Sequence, residues 1–475
     1  MSKKNAWKSY DAADEEQLNQ LNDDYIDFIS TCKTERECAN RAIEMARKAG
    51  YISLEEARVQ KRPLAPGAKV YASIYGKTVM LVHLGKRPLE EGFNILGAHI
   101  DSPRLDIKQN PLYEAQGFAL LDTHYYGGIK KYQWVTLPLA IHGVVVKPNG
   151  ESITVNVGED ATDPVFCVTD LLIHLGADQL EKKGGKVVEG EDLDLLVGSR
   201  PFVLDKQDTK DAAEGSLEEM AATSPVKAAL LSLFQDKYGF TEEDFLSAEL
   251  EVVPAGRARS CGFDASMVLG YGQDDRVCAY TSLIAQLEAE DIQRTAICLL
   301  VDKEEIGSVG ATGMTSLFFE NTVAEIMELA GQGGDLARRR ALAASDMLSS
   351  DVSAGLDPLY ASAFEEKNAA HLGCGLVFNK FTGARGKSGS NDANAEYMAK
   401  IRAIMDGGAV RFQTAELGKV DQGGGGTIAY ILAKYGMNVI DCGVAVLSMH
   451  APWEVASKAD IYEAKKGYIA FLQQA

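Results

Sequence analysis

The chain has 475 residues, of which 46% are hydrophobic and 24% charged, with 45 Gly and 13 Pro. That composition excludes a disordered, collagen-like or coiled-coil protein, and the length suits two or three domains. With 48 Lys+Arg against 68 Asp+Glu the formal charge is −20. So acidic a chain repels polyanions, and no local basic run offsets this, so nucleic acid and anionic membrane are excluded as expected partners.

The opening MSKKNAWKSYDAADEEQ has lysines but no apolar core behind them, so no signal peptide is expected. No uncharged apolar run reaches bilayer-spanning length. The eight cysteines form no CxxC pair. Reduced core thiols in a cytoplasmic protein are the expectation, with neither a disulfide framework nor a cysteine zinc site.

The first fifty residues predict two helices. The second opens at Thr34 with Glu37 three positions on, a capping-box pattern, and stops at Gly50. KVYASIYGKTVMLVHLG alternates as strands do around a glycine turn, and FNILGAH is an apolar run of strand length. Residues 110–247 carry strand-like pieces (VTLPLAIHGVVV, ESITVNVG) and a polar, acidic stretch from Glu181 to Thr223, without βαβ alternation. This segment is expected to be a β-rich domain inserted into a domain formed by 1–109 and 248–475.

From about residue 250 strands and helices alternate. Asp275–Glu290 places Val277, Tyr280, Ile284 and Leu287 on one helical face, and TAICLLV reads as a strand covered on both sides. ILAKYG followed by NVIDCGVAVLS reads as helix, glycine stop and strand, and a last helix runs around Ile461, Tyr468, Ile469 and Leu472. The pattern predicts a three-layer α/β domain with a largely parallel sheet.

Five segments carry acids or histidine at the ends of these predicted elements. They are GAHIDSP (His99, Asp101), GYGQDDR (Asp274, Asp275), VDKEEIGS (Glu304, Glu305), MLSSDVS (Asp351) and VLSMHAP (His450). Ligands of open α/β sheets bind beyond the carboxyl ends of the strands, where such positions converge. Singly, each has an ordinary reading: an Asp at a helix start is usually an N-cap, a Glu pair is solvated surface, a histidine among apolar residues is core. Jointly, they supply imidazole nitrogen, carboxylate oxygen and a spare base, as a two-metal hydrolytic site needs. Asp101 is placed to orient the His99 imidazole. Zinc is the first expectation, while cobalt and manganese accept the same ligands.

Other motifs fail. HExxH and GxSxG are absent, and GARGKS puts Phe381 where a phosphate-cradling loop needs its first glycine. The glycines 423–426 lead into a helix expected near Thr427, either as a tight turn or as a loop approaching substrate.

In that order, the five segments resemble the aspartyl aminopeptidase family of dinuclear zinc peptidases. GAHIDSPRL is similar to the family's GAHTDSP, DKEEIGS to its D-x-EE-[IV]-GS, LSMHAPWE to its LSMHS, and GGGTIAYILA to its CGSTIGPILA. The resemblance implies Asp274 as a carboxylate bridging two metals, with His99 and Asp351 completing one and Glu305 and His450 the other. It implies Glu304 as general base, a phosphorylase-like α/β/α catalytic domain, and an insert that assembles a homo-oligomer, a dodecamer in the family. Three segments depart from the family pattern. GGIKKYQWVTL has Tyr132 in place of a histidine, FNKFTGARG replaces K-x-N-x-N-Q-R-Y, and DVSAG lacks the histidine of D-M-x-H-A. Lys131 and Lys380 are the cations expected to meet an acidic side chain of a peptide substrate. The expected activity is removal of N-terminal residues from peptides, acidic ones among them. A dinuclear amide hydrolase of other selectivity and a non-catalytic scaffold of the same fold are the alternatives.

Overall fold

The computed structural model describes residues 4–203, 216–383 and 385–475. The part of the acidic stretch at 204–215 lies outside the described residues. Two compact units account for the rest, one of Met1–Ser102, Arg257–Met449 and Trp453–Ala475, the other of Pro103–Gly256 and His450–Pro452.

The first unit is built on a nine-stranded sheet. Its strands run in the order Ile52–Ser53, Lys69–Ile74, Thr78–His83, Thr295–Val301, Phe93–His99, Asp346–Ser349, Asn438–Gly443, Leu376–Asn379, Phe412–Ala415. The four central strands, from Thr295–Val301 to Asn438–Gly443, are mutually parallel. Antiparallel pairings appear only toward the edges, where Thr78–His83 meets Lys69–Ile74 and Thr295–Val301, and Leu376–Asn379 meets Asn438–Gly443.

Strand alternation sorts the core onto two faces. Leu96, Ala98, Cys298 and Leu300 pack with the helices Ala12–Thr31, Gln273–Glu288, Ala395–Gly407 and Lys458–Gln474. Ile95, Ile297, Leu299 and Val301 pack with Phe318–Leu329 and Asp335–Ala343. Helices therefore cover both faces, giving the three-layer α/β/α arrangement. A smaller five-stranded sheet (Arg259–Cys261, Met267–Gly270, Glu454–Ser457, Ala445–Leu447, Ser353–Ala354) completes this unit.

Local chemistry explains much of this. Thr34 caps Glu35–Lys48, its hydroxyl accepting from the Glu37 N–H while the Glu37 carboxylate reaches back to the Thr34 N–H. Gln273–Glu288 differs from its one-faced expectation. Val277, Cys278, Ala279, Leu283 and Ala285 are all buried, because the helix is enclosed on most of its circumference. The helix after the glycine run begins only at Ala429 and lasts five residues.

The second unit holds a six-stranded antiparallel sheet, ordered Ser152–Val157, Leu139–Val146, Ala248–Pro254, Arg104–Ala115, Phe118–Tyr126, Leu195–Gly198. Arg104–Ala115 and Ala248–Pro254 are neighbours in it, so this unit reaches beyond 110–247 at each end. It also carries the helices Leu217–Thr223 and Pro225–Leu233.

Candidate metal centre

Three parallel strands end together. Val301 pairs with His99, and Ser349 with Gly97. The segments that follow them therefore leave the sheet side by side, carrying Asp101, Glu304 with Glu305, and Asp351. Just behind Asp351, a Cβ on Gly443 would lie 2.0 Å from the Asp351 carbonyl oxygen and 2.9 Å from Cys278 Sγ. Only glycine lets these backbones approach so closely.

The fourth segment is the start of Gln273–Glu288. Its first residues are preceded by Gly272 at φ +70, where a Cβ would meet the Arg276 guanidinium at 2.0 Å. No side chain caps this helix, and Asp274 and Asp275 have non-helical backbone angles with a cis peptide between them. The ordinary N-cap reading of these two acids therefore does not hold; both carboxylates turn toward the His99 strand. Asp275 Oδ2 accepts the His99 backbone N–H at 3.3 Å, and Asp274 Oδ1 lies 3.2 Å from His99 Nε2. The Asp274 backbone is held from both sides, its N–H donating to Glu454 Oε2 at 3.1 Å and its carbonyl accepting from Ser102 Oγ at 2.7 Å.

His99 and Asp101 form the centre of the cluster, and both are buried. His99 Nδ1 lies 3.0 Å from the Asp101 carbonyl oxygen and 3.3 Å from its Oδ1. This fixes the ring so that Nε2 faces Asp274, Glu304 Oε2 at 3.9 Å and Asp351 Oδ1 at 3.9 Å. The same Asp101 carboxylate accepts the backbone N–H of Glu304 at 3.1 Å and of Glu305 at 3.2 Å. One buried aspartate thus sets both the imidazole and the 3-10 turn Glu304–Ile306. Further back, Asp302 holds the end of the loop that bears this turn. Its Oδ2 accepts from Thr312 Oγ1 at 2.5 Å, and its N–H donates to Thr78 Oγ1 at 3.3 Å. Burial, with the charges of Glu35 and Asp101, pushes its carboxyl up to about 6.

The electrostatics are those of crowded negative charge. Burial disfavours a charged His99, yet hydrogen bonds to Asp101 and Asp274 and the charges of Asp101 and Glu304 raise its pKa well above the usual value. Burial, then the charges of Asp275, Glu304 and Asp274, drives the Asp351 carboxyl well up. Burial and Asp274 do the same to Asp275. One ligand atom each from His99, Asp274 and Asp351 fall within 4.8 Å of one another. An imidazole held by a carboxylate through its other nitrogen, beside oxygen donors with excess negative charge, fits a divalent cation of the zinc type.

The remaining expected residues stand as follows. His450, in the short 450–452 segment of the second unit, is partly exposed, with Nδ1 2.9 Å from the Gly128 carbonyl oxygen. Lys131 lies in that unit too, in the 3-10 turn Lys131–Gln133. Lys380 is exposed and paired with Asp392, which Lys387 also contacts at 3.0 Å. The sequence reading did not foresee Glu454 or Ser102 as supports of Asp274. Glu454 follows His450 by four positions in LSMHAPWE, but nothing in its spacing marks it as a partner of a residue 180 positions earlier.

Compared with known families, residues 28–472 match the one described as Aminopeptidase I zinc metalloprotease (M18). A probable M18 family aminopeptidase 1 of Clostridium acetobutylicum is 59% identical over 469 residues, covering 99% of this chain and 98% of its own. The crystal structure of an M18 aminopeptidase from Thermotoga maritima superposes with a TM-score of 0.92 at 39% identity, over the whole of both chains. The S. cerevisiae mApe1 dodecamer structure shares the fold at 20% identity and a TM-score of 0.76, covering 97% of each chain. Family match, overall identity and a strand-end cluster of cation donors agree: the chain belongs to the aminopeptidase I zinc metalloprotease (M18) family and is a metallo-aminopeptidase, a hydrolase of peptide bonds.

Proposed function

We propose that the strand-end cluster holds two divalent ions, zinc before cobalt or manganese, and removes the N-terminal residue of peptides. His99 and Asp351 would hold one ion, Glu305 and His450 the other, with Asp274 between them. The observation that carries this is the His99 arrangement, in which Asp101 fixes Nδ1 and Nε2 faces Asp274 and Asp351. When bound, such a pair lowers the pKa of an attacking water toward ~7 and polarises the scissile carbonyl.

The chain's own groups do the rest. Glu304 takes the proton of the attacking water and returns it to the departing amine. Asp101 keeps Glu304 in place through its backbone N–H and keeps the His99 ring from rotating. The carboxylate-rich corner favours a positively charged α-ammonium, so peptides with acetylated N-termini should resist cleavage. Glu304→Gln tests the reading: zinc content should be retained while turnover of aminoacyl substrates falls about 100- to 10,000-fold. Unchanged turnover would remove Glu304 from the role of base.

Selectivity has two readings. Lys131 and Lys380 would receive an acidic N-terminal side chain. The Lys380–Asp392 pair favours the second, a preference for neutral side chains, because that cation is already compensated. Parallel kcat/KM values for Asp-, Glu- and Leu-p-nitroanilide separate the two. We further propose a cytoplasmic homo-oligomer assembled through the inserted β-rich unit, a dodecamer as in the S. cerevisiae mApe1 structure. Free cysteines throughout the described residues, and no described helix long and apolar enough to cross a membrane, support that setting.

A further inference from the structure

The chain's negative charge makes any concentration of uncompensated cations conspicuous. One exists in the first unit, around a surface cavity of about 830 Å3 lined by Lys4, Lys367, Arg402, Arg411, Asp406 and Phe412. These cations come from the N-terminus, the turn Glu366–Asn368, the helix Ala395–Gly407 and the edge of the strand Phe412–Ala415. Scattered between positions 4 and 411, they leave no basic run in the sequence; folding alone gathers them.

Among the described residues, none of the four makes an ion pair with a carboxylate. Asp406 is the one described carboxylate on the cavity wall, and two further acids close by, Glu365 and Glu463, are engaged otherwise. Glu365 accepts the Lys367 backbone N–H at 3.4 Å and the Asn368 amide at 2.6 Å, closing the turn. Buried Glu463 accepts the Arg411 backbone N–H at 2.6 Å, the Tyr10 hydroxyl at 2.9 Å and Lys466 Nζ at 3.2 Å. Arg411 Nε donates to Ser9 Oγ at 3.2 Å, which holds the guanidinium at the cavity without neutralising it. Four cations against the single carboxylate of Asp406 leave the space net positive, and a multiply charged anion would relieve the remaining repulsion. The Phe412 ring, half-buried and packed edge-on against Phe378, gives the cavity an apolar wall.

We infer that this cavity is a binding site for a small, multiply charged phosphate anion, distinct from the metal centre. The pocket volume lies in the small-molecule range and the cations surround one concavity, whereas a nucleic acid would need a stripe along a face. Guanidinium groups suit phosphate because their paired donors match its oxygens.

Inorganic tripolyphosphate is the probe, titrated calorimetrically into the full chain at low ionic strength. The expected result is saturable binding that Arg402→Ala/Arg411→Ala weakens at least tenfold, with unchanged Tm in the absence of probe and unchanged aminoacyl-p-nitroanilide turnover. His99→Ala, which removes a metal-centre donor, should leave the affinity as it is. No saturable binding would overturn the inference. So would affinity that survives in the Arg402→Ala/Arg411→Ala variant, or is lost with His99→Ala, since either puts the anion elsewhere. Tighter binding of single-stranded oligonucleotide than of tripolyphosphate by the same cations would overturn it in favour of a macromolecular partner.

Discussion

The strand Asp346–Ser349 has a buried aspartate at its start and a largely but not fully enclosed one two residues past its end, and their surroundings are opposite. Asp346 receives Arg294 Nη1 at 2.6 Å, Lys400 Nζ at 2.7 Å and the Asn438 amide at 2.8 Å. Burial works against its charge, but Lys400, Asn438 and Arg294 prevail and hold its carboxyl below the usual range. Asp351 is surrounded by Asp275, Glu304 and Asp274, and its carboxyl is driven up. One end of the sheet is closed electrostatically by the chain itself; the other carries the uncompensated acids that we propose hold the metal ions. Compensated buried charge marks structure here, and uncompensated charge is what the proposed metal centre rests on.

The largest effect that could break this contrast is at the end proposed to be active. Glu304→Gln should cost turnover without unfolding, as set out above. Asp101→Asn comes next: losing the carboxylate that orders both His99 and the Glu304–Glu305 turn should lower zinc affinity or kcat about 10- to 100-fold. Equilibrium dialysis beside steady-state kinetics reads both. At the closed end, Asp346→Asn should leave kcat within twofold and cost about 3 kcal/mol of stability at pH 7, because Arg294 is left buried without its partner. The sign is set by the lowered folded pKa. The contribution is present above the unfolded value of about 4 and lost as pH falls through the folded one, so denaturation curves of variant and wild type should converge in acid. The smallest effect belongs to Asp441, buried beside Thr427 and Ser349 and pushed up to about 7 by burial. Its folded pKa exceeds the unfolded one, so it favours folding most at low pH and that contribution fades as pH rises toward 7. Asp441→Asn should flatten the fall in Tm between about pH 4 and about pH 7.

The same contrast bears on what the sequence made legible. Features written locally could be read: the Thr34–Glu37 capping box, the Tyr75–Gly76 turn at positive φ, and the apolar strands behind His99 and Glu304. Asp274 and Asp275 mimic a helix cap in sequence, and only the backbone turn after Gly272 shows that they cap nothing. Glu454, Ser102 and the compensating trio at Asp346 are long-range partners, which no periodicity encodes. The edges of the inserted unit were blurred for a similar reason: the bounds expected at 110 and 247 fall at Arg104–Ala115 and Ala248–Pro254, strands whose sheet is fixed only by their long-range pairing. The gathering of Lys4, Lys367, Arg402 and Arg411 is likewise a property of the fold.

The central claim, that an acid-crowded strand end is a two-ion metal centre, is tested most directly by zinc stoichiometry. Wild-type chain and Asp274→Ala would be loaded with zinc, dialysed and measured by inductively coupled plasma mass spectrometry. Two retained ions per wild-type chain, and fewer than one in Asp274→Ala, are the expected values. A wild-type chain that retains no zinc, or a variant that retains as much as wild type, would contradict it.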